Sequence, residues 1–260
     1  MIEQEHIDGV AVVRFAHGKV NALDLEFLDA IADTFTELAA SGTRAVVLTG
    51  AGPAFSAGVD LRRLTSGGSD YIRRFLDRLG DAFEAVFRMP QPVVAAVNGH
   101  AIAGGCVFAC ACDWRVMADG RGRIGVPELA VGVPFPTVPY EIMRFAVGAA
   151  ALPGLLYGAD TLAPAVAMAA RLVDEVVPAD DLLQRSITVA KELSGDRIPD
   201  ATFRMTKQQL RRDTLAAIER NGPVDDPAVV AAWTDPATLA WIDAYMAHVT
   251  GQPRPESARS

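Results

Sequence analysis

Cysteine and histidine are scarce in this chain of 260 residues, which has three of the first and four of the second. Cys106, Cys110 and Cys112 all fall in the one stretch GGCVFACACD. An odd number in a single apolar segment argues against a disulfide framework, and a metal would need a fourth ligand that the segment lacks. Cys106 and Cys110, four apart, read instead as small buried hydrophobes on a helix. His6, His17, His100 and His248 show no ligand spacing, and none stands beside an obvious Ser or Cys nucleophile. Metal and triad hydrolase chemistry are therefore not expected. Basic charge is short as well: 24 Lys and Arg against 32 Asp and Glu give a net charge of −8, which disfavours nucleic acid or an anionic membrane as a partner. No apolar run approaches the ~18 residues of a membrane span, and the start MIEQEHIDGV has neither the basic nor the apolar stretch of a secretory signal. A cytoplasmic protein is expected.

What the chain does have is apolar substance. Half its residues are hydrophobic, so it can bury a large core, and at ~100 to 200 residues per domain its length suits one large domain or one with a smaller appendage. In the first half, short β-rich runs alternate with helical periodicity. VAVVRF (10–15), AVVLTG (45–50), VVAAVNG and DWRVMAD read as strands. A helix from about 25 to 40 puts Leu28, Ile31, Phe35 and Leu38 on one face, with Asp24 as a plausible N-cap. A second, from about 70 to 88, repeats Ile72, Phe75, Leu79, Phe83 and Val86 before Pro90. Residues 104–112 are apolar all round, as a helix through a core would be, and Asp113 after them reads as a structural cap. Beyond residue 136 the periodicity is almost wholly helical, at 137–147, 164–170, 181–194, 200–220 and 236–248, with only EVVP (175–178) extended. The polar tail GQPRPESARS is expected to fray.

Gly120, Gly122 and Gly125 spell G-x-G-x-x-G, but Pro127 prevents the helix that a dinucleotide site needs immediately afterwards, so a reversal between strands is the better reading. Two other segments can present main-chain N–H groups to a ligand. Phe55-Ser56-Ala57-Gly58-Val59-Asp60-Leu61 packs small residues into a turn that leads to a short helix. Asn98 to Cys106 runs from a buried strand into a helix N-terminus, where free N–H groups and the helix dipole favour negative charge. Two such amides together can make an oxyanion hole.

FSAGVDL, PVVAAVNGHAIAGGCVFACACDWRVMAD, NALDLEFL and GVPELAVGVPFP, in that spacing over roughly residues 5–180, resemble the crotonase superfamily, the enoyl-CoA hydratase/isomerase family. The resemblance implies an α/β fold, a spiral of β-β-α repeats over residues 1–195. A helical region over 196–260 would mediate trimers, often paired into hexamers. It implies an acyl-CoA thioester as substrate, with coenzyme A as part of that substrate and no separate cofactor. By the same resemblance the N–H groups of Ala57 and Gly104 would hold the thioester oxygen. Ala57, Gly58, Val59, Asp60 and Leu61 would line the coenzyme A site, and Lys19 could meet a phosphate, with a weaker case for Arg62 and Arg63.

The carboxylates bear on the reaction. Hydratases of this family use two glutamates, and this chain has only the later one, Glu128 in VPEL; the earlier position is Val107. PFPTVPY also replaces the hydratases' glycine-rich stretch. One glutamate can move a double bond from β,γ to α,β by taking the α proton and returning it at the γ carbon. AGGC followed by an apolar residue, the lone glutamate and the proline-phenylalanine pair are most similar to the enoyl-CoA delta-isomerases of the family. Burial among Val126, Pro127 and Leu129 would raise the pKa of Glu128. Two alternatives stand: hydration with an acid recruited from His100 or Glu84, and a non-catalytic acyl-CoA binder.

Overall fold

The computed structural model describes residues 1–249, and GQPRPESARS lies outside the described residues together with Thr250. The alternation of apolar runs with helical periodicity arises because, after an opening hairpin within one sheet, each turn of the chain crosses two sheets in succession before its helix. The first turn comprises the hairpin β1 (Ile2–Ile7) and β2 (Val10–Phe15), then α1 (Leu25–Ala40). It is followed by β3 (Ala45–Gly50), β4 (Ala54–Ser56) and α2 (Leu61–Phe87). Next come β5 (Val93–Val97), β6 (His100–Ile102) and α3 (Gly104–Ala111), and then β7 (Trp114–Ala118), β8 (Ile124–Gly125) and the short α4 (Glu128–Val131). This is a crotonase-like spiral of β-β-α turns. Beyond it lie α5 (Thr137–Val147), α6 (Leu152–Gly158), β9 (Thr161–Leu162), α7 (Pro164–Ala169), β10 (Glu175–Val177), α8 (Leu182–Lys191), α9 (Asp200–Thr234) and α10 (Pro236–Val249).

The larger sheet has the order β1-β2-β3-β5-β7-β10, parallel from β2 onward, and the smaller has the order β4-β6-β8-β9. Parallel strands are buried on both faces, which explains why VAVV, AVVL and VVAAV are apolar without alternation. Ala11, Val13, Phe15, Val46, Leu48, Ala95 and Val97 share one cluster with the inner faces of α1, α2 and α3. Val10, Val12, Val47, Val94 and Ala96 form a second cluster with Leu182, Ile187 and Ala190 of α8. Among the described residues no helix is long and apolar enough to cross a membrane, and no three His, Cys, Asp or Glu side chains come together as a metal site would require.

Several local expectations are met. Asp24 caps α1, its Oδ1 accepting the Phe27 N–H at 2.9 Å. The short helix expected after Asp60 and the longer one from about 70 are a single element, α2, broken at Gly68, whose φ of 75° lies outside the helical region. Others need correction. The helix expected to end near residue 220 runs through Pro223 and Pro227 to Thr234. Tertiary contacts override the missing N–H groups here: Asn221 donates to Glu141, Asp226 accepts from both the N–H and the hydroxyl of Thr137, and Val229 and Trp233 are buried. Helix α6 and strand β9 gave no signal. The Gly120–Gly125 segment carries the chain from one sheet to the other, and Gly125 is needed because a Cβ there would lie 2.2 Å from Asp160 O.

Asp113 is not the cap expected of it, since Cys112 ends α3 and the Asp113 carboxylate turns to other elements. Its Oδ2 accepts from Val93 N–H at 2.8 Å and from Lys207 Nζ at 2.5 Å, and its Oδ1 accepts from Arg211 at 2.7 Å. Lys207 also donates to Gln91 O, and Arg211 donates to Phe87 O and Ala111 O while stacking 4.1 Å over the Phe87 ring. The α9 helix is thereby clamped to the ends of α2, α3 and β5. Both cations are buried, and burial pushes the Lys207 ammonium down to about 8 against the opposing pull of Asp113. Removing the anion strands two buried charges, so Asp113→Ala is expected to cost about 3–5 kcal/mol, read as a lowered midpoint in urea unfolding.

Candidate active site

The site begins where two turns of neighbouring repeats press backbone against backbone. After β4 the chain turns through Ala57 to Asp60, and after β6 it turns at Ala103 into α3. Gly58 has a φ of +80°, and a Cβ there would lie 2.6 Å from Ile102 O and 3.4 Å from Gly104 N. Gly105 reciprocates: its Cβ would be 2.3 Å from Ser56 O. Only residues without a side chain permit that approach. Asn21, fully buried in NALDLEFL, secures the first turn by donating to Ala54 O at 3.0 Å and Phe55 O at 3.2 Å, while Ser56 Oγ donates to Asn21 O at 2.7 Å. Ala103 holds φ 52° and ψ −122°, an unusual conformation for a residue with a side chain, and this directs the first amides of α3 toward Gly58.

The hydrogen bonds of the first turn correct one expectation. The Ala57 N–H donates to Val20 O at 2.9 Å and is not available to a ligand. Gly58 N–H donates to Ser56 Oγ, and Asp60 N–H to Leu23 O. Within residues 57–60 the amide left without an acceptor among the described residues is that of Val59. Gly104, first residue of α3, has no acceptor within its own helix. The pair of free amides is therefore Val59 and Gly104, two residues along from the position expected in the first turn. The cause is the parallel bridge between Leu23 and Val59, in which the Gly58 carbonyl accepts from Leu23 N–H and the Asp60 N–H donates to Leu23 O, leaving the Val59 N–H pointing away from Leu23.

These amides border a cavity of about 230 Å³. Ala57, Val59, Leu61, Gly104 and Glu128 all line it, so five of the expected residues are brought together. Gly58 and Asp60 shape its wall from behind, Asp60 by accepting the Arg63 N–H at the start of α2. Lys19 is exposed and is not among the lining residues. Arg63 is held by Asp24 and Glu26 at 2.9 and 2.6 Å. The remaining lining is apolar, from Leu79, Phe83, Ile102, Val107, Val133 and Phe135, with Trp233 and Tyr245 contributed by the C-terminal helices. Those two had no local sequence signal, because only the return of α9 and α10 across the spiral brings them here. His100 is exposed on β6, and Glu84 is paired with Arg88 at 2.5 Å and lines a different groove, so neither offers an acid to this cavity.

Glu128 is the carboxyl of the site. It opens α4, is 9% exposed, and its Oε2 is buried without a hydrogen-bond partner. Burial pushes its pKa up to about 8, opposed only by a backbone hydrogen bond. A carboxyl that can give or take a proton near neutrality thus shares a water-poor cavity with two unpaired amides. That combination suits the removal of a proton beside a carbonyl whose oxygen becomes negative.

The model of the family described as enoyl-CoA hydratase/isomerase matches residues 5–224. The mitochondrial enoyl-CoA delta isomerase 1 of Rattus norvegicus is 31% identical over 217 residues, 82% of this chain and 74% of that protein. A putative enoyl-CoA hydratase of Thermus thermophilus is 38% identical over 172 residues, 65% of this chain and 66% of its own length. The crystal structure of human mitochondrial delta3-delta2-enoyl-CoA isomerase superposes with a TM-score of 0.89 at 26% identity, covering 96% of this chain and 98% of the other. With this fold, this cavity and these relatives, the chain belongs to the enoyl-CoA hydratase/isomerase family of the crotonase superfamily.

Proposed function

We propose that this enzyme moves a double bond in an acyl-CoA thioester from the β,γ to the α,β position. The observation that carries the reading is the composition of the cavity: one buried carboxyl, two free amides, the phenol of Tyr245, and otherwise largely apolar walls. Ionised Glu128 removes a proton from the α carbon. The electron pair of the broken C–H bond delocalises through the former double bond and the carbonyl to give a dienolate, whose oxygen accepts hydrogen bonds from Val59 N–H and Gly104 N–H. Preorganised donors in a dry site stabilise such charge by several kcal/mol. Glu128 then delivers its proton to the γ carbon, the α,β double bond forms, and the carboxylate is regenerated. No second acid or water is required.

Hydration makes a different demand, since a water must be held and split across the double bond. Val107 occupies the wall where a second carboxylate would serve, and it can neither give nor accept a proton. A hydratase or a non-catalytic acyl-CoA binder would each behave differently with two substrates. An isomerase converts a β,γ-enoyl-CoA rapidly, read as the absorbance of the conjugated thioester, and hydrates an α,β-enoyl-CoA poorly. A hydratase reverses that order, and a binder retains the ester without turnover. Assembly into trimers or pairs of trimers through residues 196–260 belongs to the same reading, supported by Met205, Leu210 and Val224, which α9 leaves exposed.

Glu128→Gln is expected to lower isomerase kcat roughly 10³-fold while leaving the affinity for an acyl-CoA within about threefold, measured by steady-state kinetics and calorimetry. In the wild type only the ionised base is competent, so kcat/KM is expected to rise with pH through a midpoint near 8. The same shift governs stability. The folded chain holds this proton more tightly than the unfolded chain, so the stabilisation from a neutral Glu128 is complete below the unfolded pKa and is lost as pH rises through about 8. Glu128→Gln stays neutral throughout. Its Tm is expected to match the wild type at acid pH and to exceed it in alkali, in a calorimetric pH series. Val107→Glu is expected to add measurable hydratase activity toward an α,β-enoyl-CoA.

A further inference from the structure

The cavity roof consists of the C-terminal helices, and two indoles fasten it. Trp233 Nε1–H donates to Pro134 O at 2.9 Å, and Trp241 Nε1–H donates to Ala130 O at 3.1 Å. The second anchor joins α10 to α4, the helix that opens with Glu128. The Trp241 ring lies so close over Gly132, the residue that ends α4, that a Cβ there would meet the indole at 2.4 Å. Tyr245 follows Trp241 by four residues, one helical turn along the same face. The residue that locks α10 onto α4 therefore also sets how the phenol enters the cavity beside Glu128.

Opposite stands an unmet need. Glu128 Oε2 is buried without a partner, whereas buried polar atoms of folded proteins are nearly always paired. Two titratable groups feel the charge of this carboxyl: the Cys106 thiol of α3, a weak donor, and the Tyr245 phenol of α10, which lines the same cavity as Glu128. The α6 helix, also packed on α4, carries no charged side chain, and its Tyr157 is 80% exposed. Burial first, and the Glu128 charge second, hold the Tyr245 phenol above its ordinary pKa, so it keeps its proton while Glu128 titrates.

We propose that Tyr245 is a positioning residue for the base: when Glu128 ionises, the phenol across the shared cavity turns to donate its hydroxyl to the carboxylate. The bond fixes the carboxylate in one orientation, with Oε1 turned to the substrate carbons, and favours the ionised form that acts as base. Its effect on turnover rests on the isomerase reading; its effect on Glu128 does not.

The test is Tyr245→Phe, which keeps the ring and removes the donor. The ionisation of Glu128 is followed by its infrared carboxyl band, identified as the band that Glu128→Gln lacks, in a titration across neutral and alkaline pH. The midpoint is expected to rise by about one pH unit in Tyr245→Phe. Isomerase kcat is expected to fall roughly tenfold with KM within about twofold. Trp241→Phe, which loses only the anchor to Ala130, is expected to move the midpoint the same way by less, and it serves if Tyr245→Phe does not fold. An unmoved midpoint in the folded variants overturns the proposal. A wild type that fails to isomerise any β,γ ester overturns the isomerase reading instead, and the infrared midpoint still decides the Tyr245 pairing.

Discussion

Everything in the site depends on how closely two stretches of backbone approach at Gly58 and Gly105. A methyl group at either would drive into a carbonyl oxygen of the other turn, at 2.6 and 2.3 Å respectively. That contact brings Val59 and Gly104, from different repeats, to the border of one cavity, and neither amide has been consumed by the fold. The arrangement is paid for elsewhere, in the buried Asn21 and Ser56 hydrogen bonds and in the left-handed backbone of Asn21 and Ala103. These residues touch no substrate in the proposed reaction, yet they determine where its charge can be received.

The same walls that exclude water set the character of Glu128. In water its carboxyl would be fully ionised at neutral pH and a weak base. Surrounded by apolar side chains, it is held near the point where either protonation state is accessible. In the proposed reaction a raised pKa makes the carboxylate a stronger base toward the α proton while leaving it able to give that proton back. The cost falls on stability at alkaline pH, where the folded chain must keep a charge in an apolar site.

How much of this was legible in the sequence varied with the range of the interaction. The strands of the larger sheet, α1 with its Asp24 cap, and the core helix through Cys106 and Cys110 follow from local pattern, since burial on one or both faces writes itself into the order of residues. Glu128 was legible because its apolar neighbours adjoin it in VPEL. The donor amide was not. Choosing between Ala57 and Val59 requires knowing that Val20 and Leu23 pair with that turn, which the spacing of small residues does not encode. The extension of α9 past Pro223, and the arrival of Trp233 and Tyr245 at the cavity, likewise come from packing between distant segments, as does the role of Asp113 as anchor for Lys207 and Arg211.

The prolines within α9 bear on how its two ends communicate. The N-terminal half is fastened by Asp113, whereas the C-terminal end supplies an aromatic to the cavity roof. Between them, Pro223 and Pro227 each delete a rung of the hydrogen-bond ladder, so the helix resists bending least at that point. A bulky acyl group lifting the roof would therefore flex the rod at its middle, and the strain would dissipate before it reached the buried ions.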